Sequence, residues 1–213
     1  MNVRRMRSPR NSLSSHKLDR RAGSARGRTR EIAVAYDGER TEHEYFVGWA
    51  RVIGTSGIVL RPFHVRSGGN ALKALEAARR RLLGEGTFDE VWCVCDVDDT
   101  SAADMAKAVQ FAERHKIKLC ASLRSFEVWL ALHWGEVSLA EIRTEKDAVA
   151  LVAKHYPAYT AKSKSIPFSE LLPLTGRACQ NAKWLEKQGV ENPATMMHKL
   201  AELLVNILES KRK

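Results

Sequence analysis

The chain has 213 residues, 44% of them hydrophobic and 28% charged, with a formal net charge of +10. That length is enough for one sizeable core, and the composition is that of a globular protein. No apolar run approaches the roughly 20 residues of a membrane span, and the N-terminal stretch lacks the apolar segment of a secretory signal, so a cytoplasmic protein with no membrane partner is expected.

The positive charge is unevenly placed. Residues 1–30 carry ten Lys/Arg against one acid, Asp19, whereas the rest holds 25 basic and 24 acidic residues. A Ser-, Arg- and Gly-rich stretch of this kind cannot bury a core, so residues 1–29 are expected to form a disordered basic arm suited to phosphate. Ordered structure is expected from Glu31. Ile32–Tyr36 is a short apolar run that reads as a buried strand, followed by a turn at Asp37-Gly38. A helix follows over Thr41–Ile53, with Thr41 and Glu44 spaced as a capping box. Ile58–Val65 reads as a second strand, Ser67–Asn70 as a loop, and Ala71–Leu83 as a helix whose last turn holds Arg79, Arg80 and Arg81. The third strand lies within Phe88–Asp96. A helix over Ala102–His115, a strand over Ile117–Ser122 and a short helix over Phe126–Trp134 follow.

From Val137 onward the pattern is helical only, near Ser138–His155, Ser169–Gln188 and Ala194–Ser210, with Tyr156–Phe168 as a polar connection. Apolar strands alternating with helices predict a Rossmann-like α/β core over residues 30–136. It would hold a parallel sheet of about four strands covered on both faces, and a helical region over 137–213 would pack on it. Cys93, Cys95, Cys120 and Cys179 form no CxxC pair and are expected as buried, reduced thiols rather than zinc ligands or disulfides.

Ligands of an open parallel sheet bind beyond the C-terminal strand ends. Two acidic clusters sit at such ends: Asp37, Glu39 and Glu42 after the first strand, and Asp96, Asp98 and Asp99 after the third. In an extended chain Asp96 and Asp98 point to one side, and the first and third strands are neighbours in the simplest doubly wound order. Crowded carboxylates repel, and a hard divalent cation such as Mg²⁺ removes that cost through oxygen ligands. Glu127 opens a helix directly after the fourth strand and is a further candidate, against a plain helix-start acid. His133 instead shares an i, i+3, i+4, i+7, i+8 stripe with Phe126, Trp129, Leu130 and Trp134, and reads as a packing residue.

Three ordered motifs carry a family resemblance. D-G-E-R-T-E-H-E-Y-F (37–46) is similar to the E-G-E-x-T-E-x-x-Y-F signature of RloB-like proteins. F-D-E-V-W-C-V-C-D-V-D-D (88–99) resembles their strand-plus-D-x-D-D motif, and S-L-R-S-F-E-V-W-L-A-L-H-W (122–134) resembles S-N-P-x-F-E-x-W-L-x-x-H-F. N-P-A-T (192–195) adds a fourth match, and the resemblance spans roughly residues 28–207. It implies a Toprim-like fold of the kind found in topoisomerases and primases, using an acidic Gly turn and DxD to hold Mg²⁺, with Mn²⁺ as a substitute. It also implies a metal-dependent nuclease acting on DNA or RNA, tRNA included, as a phage-defence effector of the abortive-infection kind with an ATPase partner. By motif position, Asp37, Glu42, Asp96, Asp98 and Glu127 are the expected catalytic acids. Asp37, Asp96, Asp98 and Asp99 are the expected metal ligands.

Asp37 is one methylene shorter than the usual Glu, and Leu123-Arg124 replaces the usual Asn-Pro. The shorter acid keeps a second function class open: a non-catalytic nucleic-acid-binding or ATPase-regulated protein that retains the fold. A phosphotransfer enzyme lacks support, since Ser67–Asn70 is no recognised phosphate loop. The candidate nucleic-acid contacts are Arg4 and Arg5 of the arm, Arg40 of the turn, Arg124, and Lys162 and Lys164 of the polar connection.

Overall fold

The computed structural model describes residues 29–54, 57–66, 70–97, 100–135, 137, 142–188 and 194–210. The basic arm, including Arg4 and Arg5, therefore lies outside the described residues, as do Asp98, Asp99 and 138–141.

Five strands form one sheet in the order β2-β1-β3-β4-β5. They are β1 (Arg30–Tyr36), β2 (Ile58–His64), β3 (Glu90–Asp96), β4 (Ile117–Leu123) and β5 (Ala194–Thr195). The first four pair in parallel and β5 antiparallel to β4. The chain thus leaves β1 for β2 on one side and returns to β3 on the other. This reversal opens a crevice above the C-terminal ends of β1 and β3, the place where doubly wound sheets take their ligands. The fold is Rossmann-like α/β with added C-terminal helices.

Both sheet faces are covered, which explains the continuous apolar strands. Ile32, Val34, Tyr36, Trp92, Val94 and Cys120 enter the larger core. That core lies under α1 (Thr41–Ile53), α4 (Phe126–Ala131), α5 (Glu145–His155), α6 (Phe168–Leu171), α7 (Thr175–Lys187) and α8 (Met197–Glu209). Ala35, Cys93, Cys95 and Ala121 face the other core, under α2 (Ala71–Leu82) and α3 (Ala102–His115). The period of two then decides where the acid at the end of β3 points: Asp96 shares parity with Trp92 and Val94, so it faces the α1 and α4 layer. Gly48 lets α1 approach closely, since a Cβ there would stand 2.2 Å from the Phe168 ring. All four cysteines are buried and free, as expected. Among the described residues no helix is long and apolar enough to cross a membrane.

Five expectations need correction, the first being the helix near Ser138–His155, which starts only at Glu145 behind a Thr144 cap. The C-terminal region is not purely helical: Ala194–Thr195 pairs with β4, and the last helix starts only at Met197. Two residues carry too little periodicity to reveal a strand. The stretch 169–188 is broken by a 3-10 turn over Leu172–Leu174, where Pro173 removes a backbone donor. Phe126–Trp134 leaves the helix after Ala131 and finishes in turns. Thr41 does not cap α1: Arg40 occupies the N-cap position without a side-chain bond. The Thr41 hydroxyl donates instead to the Lys164 carbonyl at 3.1 Å, and Glu44 accepts from Ser165.

Candidate acidic site at the sheet switch point

Asp37 follows β1, and the turn through Gly38 carries the chain into α1. The Glu42 carboxylate folds back over that turn, so a Cβ on Gly38 would fall 1.8 Å from Glu42 Oε2. Gly38 is thus required by the approach of a carboxylate, which any side chain would displace. Gly38→Ala is expected to leave the melting temperature nearly unchanged, because the displaced group is a flexible side-chain end, while activity of the site drops. Parallel thermal denaturation and activity assays check this; equal activity would show that the Glu42 position is unimportant.

Glu42 is buried at 7% exposure. Burial pushes its carboxyl up to about 7, with Glu127 and Asp37 adding repulsion, against relief from its own backbone N–H and from Lys164. Asp96 is raised well above the ordinary carboxylate range by burial, then by the charges of Glu42, Asp37 and Glu127. These causes place the four acids from three elements in one electrostatic cluster. Glu39, by contrast, is exposed.

Glu127 differs from its neighbours because it has partners. It is 3% exposed, accepts from Tyr159 Oη at 2.8 Å, and pairs with Lys164 Nζ at 2.9 Å. Burial opposes its ionisation, but the Lys164 bond overcomes that and the carboxyl lies below its ordinary value. Lys164 also meets Glu145 at 2.7 Å. One of the four carboxylates is therefore neutralised by the protein's own cation. The raised carboxyls of Glu42 and Asp96, with Asp37 beside them, present oxygen donors only, the chemistry that Mg²⁺ or Mn²⁺ requires. Among the described residues no three His, Cys, Asp or Glu side chains converge at ligating spacing. Asp98 and Asp99, which complete the second cluster, lie outside those residues.

The remaining sequence candidates separate. Lys164 is not a free phosphate contact: its ammonium is committed to Glu127 and Glu145. Arg40 donates to the Lys162 carbonyl at 3.0 Å, tying the turn to the polar connection, and Lys162 is exposed. Arg124 adopts φ 85°, a conformation closed to proline. The turn therefore differs from any that an Asn-Pro pair makes at the same place. His133 is fully buried, its Nδ1 lies 3.1 Å from the Trp129 carbonyl, and burial lowers it to about 4, so it is a neutral packing residue at neutral pH. Sequence reasoning missed the Glu127–Tyr159 bond and the way the 156–167 segment straps α1 to α4. Tyr159 lies 32 positions from Glu127, and no local periodicity records such a contact.

Neither a curated protein nor a solved structure matches the chain. A family model described as RloB-like protein matches residues 32–204. The match runs from β1 into α8 and spans Asp37, Glu42, Asp96, Asp98, Asp99 and Glu127: this chain belongs to the RloB-like protein family.

Proposed function

We propose that the acidic crevice is the centre of a divalent-cation-dependent nuclease of Toprim type that hydrolyses phosphodiester bonds in DNA or RNA, tRNA among the substrates to test. In this reading the protein is a phage-defence effector that works with an ATPase partner, as the family resemblance implies. The observation that carries the reading is the crowding of buried Glu42, Asp96 and Glu127 at the β1/β3 switch point, where burial and mutual repulsion raise the Glu42 and Asp96 carboxyls.

Asp37 and Asp96 would hold Mg²⁺ or Mn²⁺ together with Asp98 and Asp99 of the same motif, and Glu42 would complete the oxygen set. A bound cation supplies Lewis acidity at the phosphoryl group and charge compensation for the leaving oxygen. The chain's own residues do the rest. Glu42, held at about 7 in the metal-free protein, would give up its proton near neutral pH to join that oxygen set. Glu127 stays anionic, oriented by Tyr159 and Lys164. The α1 and α4 layer keeps these groups out of bulk water, which strengthens every charge interaction among them.

A second reading, a non-catalytic nucleic-acid-binding or ATPase-regulated module, draws on the shorter Asp37 and on the absence of a closed three-ligand group among the described residues. One assay separates the two. The purified chain, with its ATPase partner, is incubated with tRNA and with plasmid DNA in Mg²⁺ or Mn²⁺. Products that vanish in EDTA and in Asp96→Asn support the nuclease. Products that persist in both sink the metal-site mechanism, and binding without cleavage under every condition favours the module.

A further inference from the structure

β2 is an edge strand of the sheet, and α2 follows it. Along α2, Lys73, Ala77, Arg80 and Arg81 recur at three- and four-residue spacing and so share a side of the helix. The small Ala77 leaves a trough between the cations. The result is a groove of about 350 Å³ lined by His64, Val65, Arg66, Ala77, Arg80 and Arg81.

Two of the three guanidinium groups of this groove are not spent on ion pairs within the described residues. Arg81 is fixed as a wall, its guanidinium 5.1 Å above the Phe63 ring and ion-paired to Glu85. Arg66 and Arg80 are exposed, and among the described residues neither makes an ion pair. Beyond the N-terminal arm the chain is almost neutral, so a groove with three guanidinium groups is a local feature rather than general basicity. It also begins where the acidic crevice ends: His64 lines it, and its Nε2–H donates to the Asp37 carbonyl at 3.2 Å.

A crevice of carboxylates repels a polyanion, so a phosphodiester can be presented to it only if cations beside it hold the backbone on either side. Guanidinium groups suit that task, since their planar fork matches phosphate oxygens in pairs. We propose that this groove binds the sugar-phosphate backbone of the nucleic acid whose neighbouring phosphate enters the acidic crevice, an assignment that rests on the nuclease reading above. The lining argues for backbone contact without base reading, because among the described residues nothing aromatic lines it apart from His64 at its edge.

The test is Arg66→Ala/Arg80→Ala in the full chain, with binding read by fluorescence anisotropy on a labelled RNA hairpin and a labelled DNA duplex. EDTA is present throughout, so cleavage does not intervene. Between about 50 and 200 mM salt, the slope of log affinity against log salt is expected to shrink by roughly 1 to 2, at about 0.9 for each phosphate that is no longer neutralised. Affinity is expected to fall on the order of tenfold. Lys107→Ala/Lys154→Ala, which removes the same charge elsewhere, is expected to bind as the wild type does. Unchanged slope and affinity in the Arg66/Arg80 variant, an equal loss in the control, or a wild-type chain that binds neither probe would overturn the proposal. Selective loss of binding to an acidic polypeptide, with nucleic-acid binding kept, would also overturn it. If the variant loses binding while the wild type cleaves nothing with any cation, the groove stands and the nuclease reading falls.

Discussion

Asp96→Asn is expected to abolish cation-dependent cleavage while making the metal-free protein more resistant to heat. Loss of a hydrogen-bonding neighbour of a metal ligand already costs about 10–100-fold in activity, so loss of the ligand itself is expected to exceed about 100-fold. The stability gain follows from linkage. The folded-state carboxyls of Asp96 and Glu42 are raised above their unfolded values, so the folded protein binds more protons than the unfolded chain. Stability then falls as pH rises toward the folded pKa. For Glu42, moving from 4.5 to about 7, the loss across that window is about 3 kcal/mol at about 1.4 kcal/mol per pH unit. Asn at 96, or Gln at 42, is exempt from it. Thermal denaturation in EDTA is therefore expected to place both variants above the wild type at pH 8, with the gap closing toward pH 4. A variant less stable than wild type at both pH values would mean that these acids are structural.

Lys164→Met is expected to act in the opposite direction, because it strands Glu127. That carboxylate keeps 4% of its side-chain exposure, beside the acids Glu42 and Asp96, with Tyr159 among its remaining donors. Removing one partner of a buried pair costs about 3–5 kcal/mol. The lower end applies here, since the Lys164 side chain is 29% exposed. At about 2–4 °C per kcal/mol, the melting temperature is expected to drop by roughly 6–12 °C. The double variant Lys164→Met/Glu127→Gln is expected to recover most of the loss, because the stranded charge is gone and Tyr159 can still donate to the amide. A double variant no better than the single one would show that Lys164 matters for packing alone. The pH signature differs as well: the lowered Glu127 carboxyl contributes stability above its unfolded pKa that is lost on acidification.

The fold was readable in the sequence where one principle acted without competition. Ile32–Tyr36 and Val91–Cys95 are continuous apolar runs because both sheet faces are covered, and their adjacency follows from the doubly wound order. The apolar stripe that holds His133 was equally plain. What escaped depended on long-range partners. Thr41 has the spacing of a helix cap, but its hydroxyl is taken by a carbonyl 123 positions away. Lys164 looked like a solvent-facing cation in a polar connection, and only the folded chain brings Glu127 and Glu145 to it. β5 is too short for any pattern. The break at Pro173, by contrast, is encoded locally, as a missing backbone donor within an otherwise helical stretch. Of the candidate site, the sequence marks all four acids, and the structure adds that Glu127 is the one paired with Lys164 while Glu42 and Asp96 are raised by burial.

The most direct test of the cation site is calorimetric titration of the wild-type chain with Mn²⁺ between pH 6 and 8, in two buffers of different ionisation enthalpy. Raised carboxyls must release protons before they can ligate. Binding is therefore expected to tighten with pH and to release protons, fewer of them above the Glu42 value of about 7, and Asp96→Asn is expected to show no binding heat. A wild-type chain that takes up no Mn²⁺ at any of these pH values, or an Asp96→Asn chain that binds it equally well, would contradict the assignment of this crevice as a cation site.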